Sequence, residues 1–318
     1  MIWIDENFIT EHVSFNELIQ ELKLAFRENK IQSPSKQVYN YSGSKNAEKN
    51  TFLFMPSWDN KTFFGTKLVT ITSSNKKKQL PYIQGIYVLF DAKNGSPLIG
   101  MDAKVMTNIR TAATSALAAS FLITEKASSL LIIGNGNLSP YFIKAHNSVR
   151  RYKKNYLWGR NKASSEIIKK QLAKESIEVA IVDDFKEVSP IVDVISCLTS
   201  AKAPILTQAY LGRGQHIDLV GSFSPEMHEV TTEVIKNSSV YSDNLNTTPL
   251  HAGELVKAIS ENVLSLKTIQ GDLVSLCKTD HSKRKNDLEN TLFKSTGMAF
   301  QDLVIAQLIF KKHEQTRK

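Results

Sequence analysis

Thiols, membrane-length apolar runs and the commoner catalytic signatures are scarce or missing in this chain of 318 residues. Only Cys197 and Cys277 occur, each inside an apolar run (VDVISCL and LVSLCKT), so neither a disulfide framework nor a four-thiolate zinc site can form. Both read as small buried hydrophobes. The seven histidines lack metal-ligand spacing, and no metal is expected. Neither a GxSxG elbow nor a P-loop is present, which removes the usual serine hydrolase and P-loop readings. No uninterrupted apolar stretch approaches the ~20 residues of a membrane span, and MIWIDENFITEH has neither a basic n-region nor an apolar h-region. A cytoplasmic protein with no membrane partner is therefore expected.

Positive charge is in excess but diluted. There are 40 Lys and Arg against 31 Asp and Glu, a net +9, in a chain that is 42% hydrophobic and 22% charged. These are the proportions of an ordinary globular protein, so disorder, a collagen-like repeat and a coiled coil are excluded. The densest basic run, Lys76-Lys77-Lys78, and the tail KKHEQTRK are short, far apart and free of aromatic interleaving. Nucleic acid is not the expected partner. Asp183-Asp184 reads as a solvated strand end rather than a catalytic carboxylate pair.

Length suggests about two domains. At 14–29 Ser14 precedes Glu17 by three residues, a capping-box spacing, and Phe15, Leu18, Ile19, Leu22, Ala25 and Phe26 follow at helical steps. Strands are expected over 51–102, the last two joined through Asn94-Gly95 as an antiparallel hairpin. The Ala-rich TNIRTAATSALAASFL is expected to be helical, with Thr107 as its cap. From 129 to 243 six apolar runs (SLLIIG, NYLWG, EVAIV, VDVISCL, QHIDLVG, SVYSD) alternate with polar stretches. Continuous apolar strands are buried on both faces, the mark of a doubly wound parallel sheet, here an α/β fold of the Rossmann type. Helices are expected over 252–276 and 296–313.

At the end of the first of these strands stands Gly134-Asn135-Gly136-Asn137-Leu138-Ser139, then Pro140 where a helix would begin. The glycines permit the tight turn and close approach of a pyrophosphate to a helix N-terminus. Ser139 replaces the usual third Gly or Ala, but the strand–turn–helix context restores the signal. The second strand ends Leu157-Trp158-Gly159-Arg160-Asn161, with no acid for the adenosine ribose and an arginine able to grip a 2′-phosphate. NADP(H) is favoured over NAD(H), which stays possible.

With MPSW, GTKLV, the long segment through RTAATSALAA, IIGNGNLS, LWGRN, CLTS, HIDLVGS, SDN, HAGEL and FKSTGMAFQD in order, the sequence resembles the ornithine cyclodeaminase/mu-crystallin family. The resemblance implies a homodimer whose substrate-binding and dimerisation domain, α+β in class, comprises 1–118 with 291–318. A Rossmann NAD(P)-binding domain would occupy 119–290, with the substrate at the cleft. Matched by motif, Lys67 and Arg110 are expected to act on the substrate, joined in binding it by Lys36, Tyr82, Phe223 and Thr296. Cofactor contacts are expected from Arg110, Gly134, Gly136, Asn137, Leu138, Gly159, Arg160, Asn161, Thr199, Val220, Gly221, Ser222 and Ser295. The competing readings are a structural ion pair for Lys67 or Arg110 and a helix cap for Ser295.

Two positions depart from the family pattern. Members that cyclise ornithine carry an aspartate where Phe223 stands, and a phenyl ring cannot move a proton. Lys36 stands where an arginine is frequent, keeping the charge and losing the bidentate fork. These features point to an NAD(P)H-dependent oxidoreductase that reduces a small imine or ketimine carboxylate, such as pyrroline- or piperideine-2-carboxylate. Ornithine cyclodeamination, amino-acid dehydrogenation and non-catalytic binding of a small ligand by an NADP-loaded protein stay open as alternatives.

Overall fold

The computed structural model describes residues 1–41 and 50–317. The chain opens with β1 (Ile2–Ile4), α1 (Glu6–His12), α2 (Phe15–Glu28), β2 (Gln37–Tyr41), β3 (Asn50–Trp58), β4 (Phe63–Ile71), β5 (Ile83–Asp91), β6 (Pro97–Asp102) and α3 (Ala103–Leu122). Then follow β7 (Ser129–Ile133), α4 (Ser139–Val149), β8 (Lys154–Trp158), α5 (Lys162–Ala173), β9 (Ala180–Ile181), β10 (Val194–Cys197) and β11 (His216–Leu219). After these come α6 (Thr232–Lys236), β12 (Ser238–Ser242), α7 (Thr248–His251), α8 (Gly253–Ser260), β13 (Gly271–Asp272), α9 (Leu273–Cys277), β14 (Asn290–Lys294) and α10 (Ala299–Thr316). Two compact units divide the chain, Met1–Thr111 with Gly297–Lys318, and Ala112–Thr296.

In the first unit a six-stranded sheet runs β1-β6-β5-β4-β3-β2. It is antiparallel except for the parallel pair β1–β6. The hairpin at Asn94-Gly95 forms as expected, Gly95 taking the positive φ of 74° that the turn needs. The apolar face of α2 (Leu18, Ile19, Leu22, Phe26) is buried, and Phe26 stacks on Phe300 of α10 at 4.4 Å between ring centroids. Each such side chain contributes about 1.5–3 kcal/mol relative to exposure. Ser14 caps α2 by accepting from the Glu17 amide, while the Glu17 carboxylate is held by Lys312 at 2.8 Å.

The second unit is an all-parallel eight-stranded sheet in the order β13-β12-β14-β11-β10-β7-β8-β9. The chain steps outward from β7 through β8 to β9, then resumes on the other side of β7 with β10 and β11. That reversal makes the β7/β10 boundary the topological switch point, where dinucleotides bind in such sheets. Its core packs Leu131, Ile133, Ile195, Cys197, Ile217, Leu219 and Leu292 from the central strands.

Two expectations differ from the structure. Helix α3 starts at Ala103, so Thr107 is internal rather than a cap; Asp102, at the end of β6, takes the Lys104 amide instead. The span 252–276 is not one helix. Asn262 turns left-handed (φ 56°) after α8, and Asp272 caps the short α9. β14 is a further strand, inserted between β11 and β12. The two compact units divide the chain at Thr111/Ala112 and Thr296/Gly297, and β14 pairs within the parallel sheet.

Candidate active site

In the first unit, β4 carries Lys67, α3 carries Arg110, and both converge on one carboxylate of α10. Lys67 Nζ lies 2.8 Å from Asp302 Oδ2, and Arg110 Nε donates to Asp302 Oδ1 at 2.8 Å. All three are buried. The ion-pair reading of both cations therefore holds, but two cations share one anion and leave the group one positive charge in excess. Burial, followed by the nearby Arg110 and Lys36 charges, pulls the Lys67 ammonium down to about 8, against the opposing pull of Asp302. Burial pushes the Asp302 carboxyl up, but Arg110 and Lys67 outweigh it, and its pKa lies below the usual carboxylate value. A buried group with surplus positive charge and a partly depressed lysine is suited to receive a small carboxylate. Across the strand pair from Lys67 lies Tyr87, fully buried, its phenol pushed well above the usual value by burial and by Asp302.

In the second unit the expected glycine turn forms at the end of β7. Gly134 has φ 120°, and its Cβ position would lie 2.9 Å from the Leu198 carbonyl oxygen, so only glycine fits the turn. Ser139 Oγ donates back to the Gly134 carbonyl at 2.7 Å, which explains why serine is accepted at the third fingerprint position. The space a Cβ would take at Gly136 is open, and α4 begins at Ser139 with Pro140 in its first turn. A pyrophosphate fits this cradle. Asn135 donates to the Asn161 carbonyl at 2.6 Å and to Ser165 Oγ at 2.9 Å, tying the first loop to the second. Arg160 is exposed. Asp183, which follows β9, pairs with Lys162 at 2.6 Å.

The loops leaving β10 and β11 are joined by a buried carboxylate that the motifs did not single out. Glu229 Oε1 accepts from the Thr199 amide (2.7 Å) and hydroxyl (3.0 Å), and Oε2 accepts from the Gly221 (2.9 Å) and Ser222 (3.2 Å) amides. Ser222 also donates to Glu254, which pairs with Lys294 at 3.0 Å, both ions fully buried. Burial pushes the Glu229 carboxyl up to about 7; Glu254 adds to this, while Lys294 and the bonds from Thr199 oppose it. Ser295 is not a helix cap. Its hydroxyl donates to Asp243 at 2.9 Å, while Met298 occupies the N-cap of α10. Thr296 donates its amide to the same Asp243 oxygen, and its hydroxyl lies 3.2 Å from that of Thr248.

The structure thus brings Lys67, Arg110 and Lys36 together in the first unit. In the second it gathers the Gly134–Leu138 turn with Gly159–Asn161, and Thr199 with Gly221 and Ser222. Tyr82 is 40% exposed at the start of β5, and Phe223 is 40% exposed beyond Ser222. No group of three or more metal-ligating side chains occurs among the described residues. No helix among them is long and apolar enough to cross a membrane. Both cysteines are buried.

A parallel sheet with a glycine turn at its switch point, in a chain whose other unit holds a buried cationic group, defines a nicotinamide-dinucleotide-dependent α/β protein. The particular family follows from direct comparison: the chain belongs to the ornithine cyclodeaminase/mu-crystallin family, whose model matches residues 5–317. It is 34% identical over 307 residues to a Delta(1)-pyrroline-2-carboxylate reductase of Colwellia psychrerythraea, covering 96% of each chain. The solved Delta(1)-pyrroline-2-carboxylate reductase of Thermococcus litoralis, in complex with NADH and L-proline, superposes with a TM-score of 0.91. That match has 25% identity and covers 99% of this chain and 98% of that one. An archaeal alanine dehydrogenase dimer with bound NAD shares the fold at a TM-score of 0.90 and 23% identity, covering 100% of this chain and 97% of that one.

Proposed function

We propose that this protein reduces the C=N bond of a small cyclic imine carboxylate, of the pyrroline-2-carboxylate or piperideine-2-carboxylate type, with a nicotinamide dinucleotide. The observation that carries the proposal is the buried Lys67–Arg110–Asp302 group with its surplus positive charge. Lys67 and Arg110 hold the substrate carboxylate, and Lys36 adds to the local positive potential. The dinucleotide, cradled by the Gly134–Leu138 turn and by Gly159 and Asn161, supplies hydride when bound. Thr199, Val220, Gly221, Ser222 and Ser295 position its nicotinamide half, and Tyr82, Phe223 and Thr296 line the substrate.

A protonated imine is already electrophilic, so reduction needs mainly orientation and exclusion of water, worth up to about 7–11 kcal/mol in favourable cases. Phe223 provides no proton at the position where cyclising relatives use an aspartate, and this argues against ornithine deamination. Arg160, with Asp183 neutralised by Lys162, favours the 2′-phosphate of NADPH. We further infer a cytoplasmic homodimer. The alanine dehydrogenase neighbour is described as a dimer. In this chain β2 is an edge strand with Val38, Tyr39 and Tyr41 exposed, a surface that a second copy would cover.

Purified protein mixed with NADPH or NADH and a panel of cyclic imine carboxylates tests the activity through loss of reduced-nicotinamide absorbance. No loss with any of them would overturn it.

A further inference from the structure

The loops after β10 and β11 leave the carboxyl ends of adjacent parallel strands, 194–197 and 216–219, at the edge of the sheet where open α/β folds take their ligands. They are packed so closely that a Cβ at Gly221 would lie 1.9 Å from the Thr199 carbonyl oxygen. Close packing does not by itself orient their amides. Thr199, Gly221 and Ser222 contribute three backbone N–H groups and one hydroxyl, and all four point at Glu229.

Glu229 reaches them from the segment after Ser222 that leads into α6. It is wholly buried, and each of its two oxygens takes two donors from one loop. An ionised carboxylate has about four lone-pair sites, so its acceptor capacity is filled. No neutral side chain of similar size matches this: an amide offers one oxygen and presents N–H groups to donors. Ser222, shared between Glu229 and Glu254, connects the clamp to the Glu254–Lys294 pair, and so to α8 and β14.

We propose that Glu229 is a positioning residue that locks the β10 and β11 loops into one rigid edge and thereby sets the affinity for the nicotinamide half of the dinucleotide. The inference rests on the dinucleotide reading above, and it assigns Glu229 no contact with substrate or cofactor. The clamp is built into the free protein, so the ordering cost is met on folding rather than on binding.

The test replaces Glu229 by glutamine and measures NADPH and NADH binding by calorimetry, alongside amide hydrogen exchange over 198–200 and 220–223 in the free protein. In E229Q the dissociation constant for the preferred dinucleotide should rise about tenfold, equal to 1.4 kcal/mol. Exchange of the Thr199, Gly221 and Ser222 amides should quicken. In turnover, KM for the dinucleotide should rise while kcat at saturating cofactor and KM for the imine stay within about threefold. If E229Q folds with lower thermal stability but unchanged dinucleotide affinity, Glu229 is structural only and the proposal fails. Should E229Q not fold, Thr199→Val removes one of the four bonds without burying a new polar group, and an unchanged affinity there is equally fatal. Wild-type protein that binds neither dinucleotide overturns the cofactor reading itself. Wild-type protein that binds a dinucleotide but reduces no imine overturns only the substrate reading, and the binding measurement still decides the role of Glu229.

Discussion

The two units each bury a triad of charges, and the triads are opposite in sign. Lys67, Arg110 and Asp302 set two cations against one carboxylate, whereas Glu229, Glu254 and Lys294 set two carboxylates against one cation. Buried ions are costly unless compensated, so a leftover charge of either sign has to be met by something else. In the second unit the surplus is met internally, by the four donors from Thr199, Gly221 and Ser222. The first unit's surplus positive charge suits an anion from outside. A buried charge satisfied by backbone donors organises structure; two cations gathered on one carboxylate favour an anionic ligand.

The largest expected effect tests the shared anion. Asp302→Ala leaves two cations buried without their carboxylate, and chemical denaturation should show a loss of about 3–5 kcal/mol. Next, Arg110→Met should lower kcat/KM for the imine by about a hundredfold or more, measured at saturating dinucleotide, because one of the two buried cations that meet the carboxylate is lost.

The triads should also respond to pH in opposite directions. Glu229 has a folded value near 7 against an ordinary 4.5, so the native state binds more protons in that window and stability falls as pH rises through it. Lys67, near 8 in the fold against 10.5 outside it, makes the native state bind fewer protons, and stability rises with pH above about 8. Each limb amounts to about 3 kcal/mol at most. Denaturation midpoints measured across pH should lose the first limb in E229Q and the second in Lys67→Met, and an unchanged profile in either variant would remove the corresponding triad from the account.

A smaller effect is expected at Gly136, where a Cβ meets nothing in the protein itself. Gly136→Ala should leave stability within about 0.5 kcal/mol yet weaken dinucleotide binding about tenfold, the signature of space kept for a pyrophosphate. The mildest is Arg160→Ala, which should cut the preference for NADPH over NADH severalfold, seen in the ratio of the two dissociation constants.

Much of this architecture could be read along the chain because it depends on local pattern. The six apolar runs between 129 and 243 became β7 to β12, and the helical spacing of Leu18, Ile19, Leu22 and Phe26 became the buried face of α2. The glycine turn was legible for the same reason, being a contiguous motif in a strand–turn–helix setting. What escaped was whatever depends on distant partners. Asp302 is one acid in an apolar helix, and its meaning comes from Lys67, 235 residues earlier. Glu229, within SPEMHEV, looks like a surface acid, since backbone amides are its donors and leave no trace in residue type. β14, NTLFK, escaped because five residues carry little periodicity, and Asn262 broke the expected 252–276 helix through a left-handed turn that propensity does not reveal.

The late insertion of β14 has a further consequence, for how the chain is made. The central sheet of the second unit is interrupted between β11 and β12 until Asn290–Lys294 arrives, and Arg110 waits 192 residues for its carboxylate. Contacts of such long sequence separation slow folding and expose apolar edges meanwhile. During synthesis neither unit can close before the stretch from Asn290 through α10 has left the ribosome, so a nascent chain halted with residue 285 just emerged should be open to protease throughout, while the released chain should resist it.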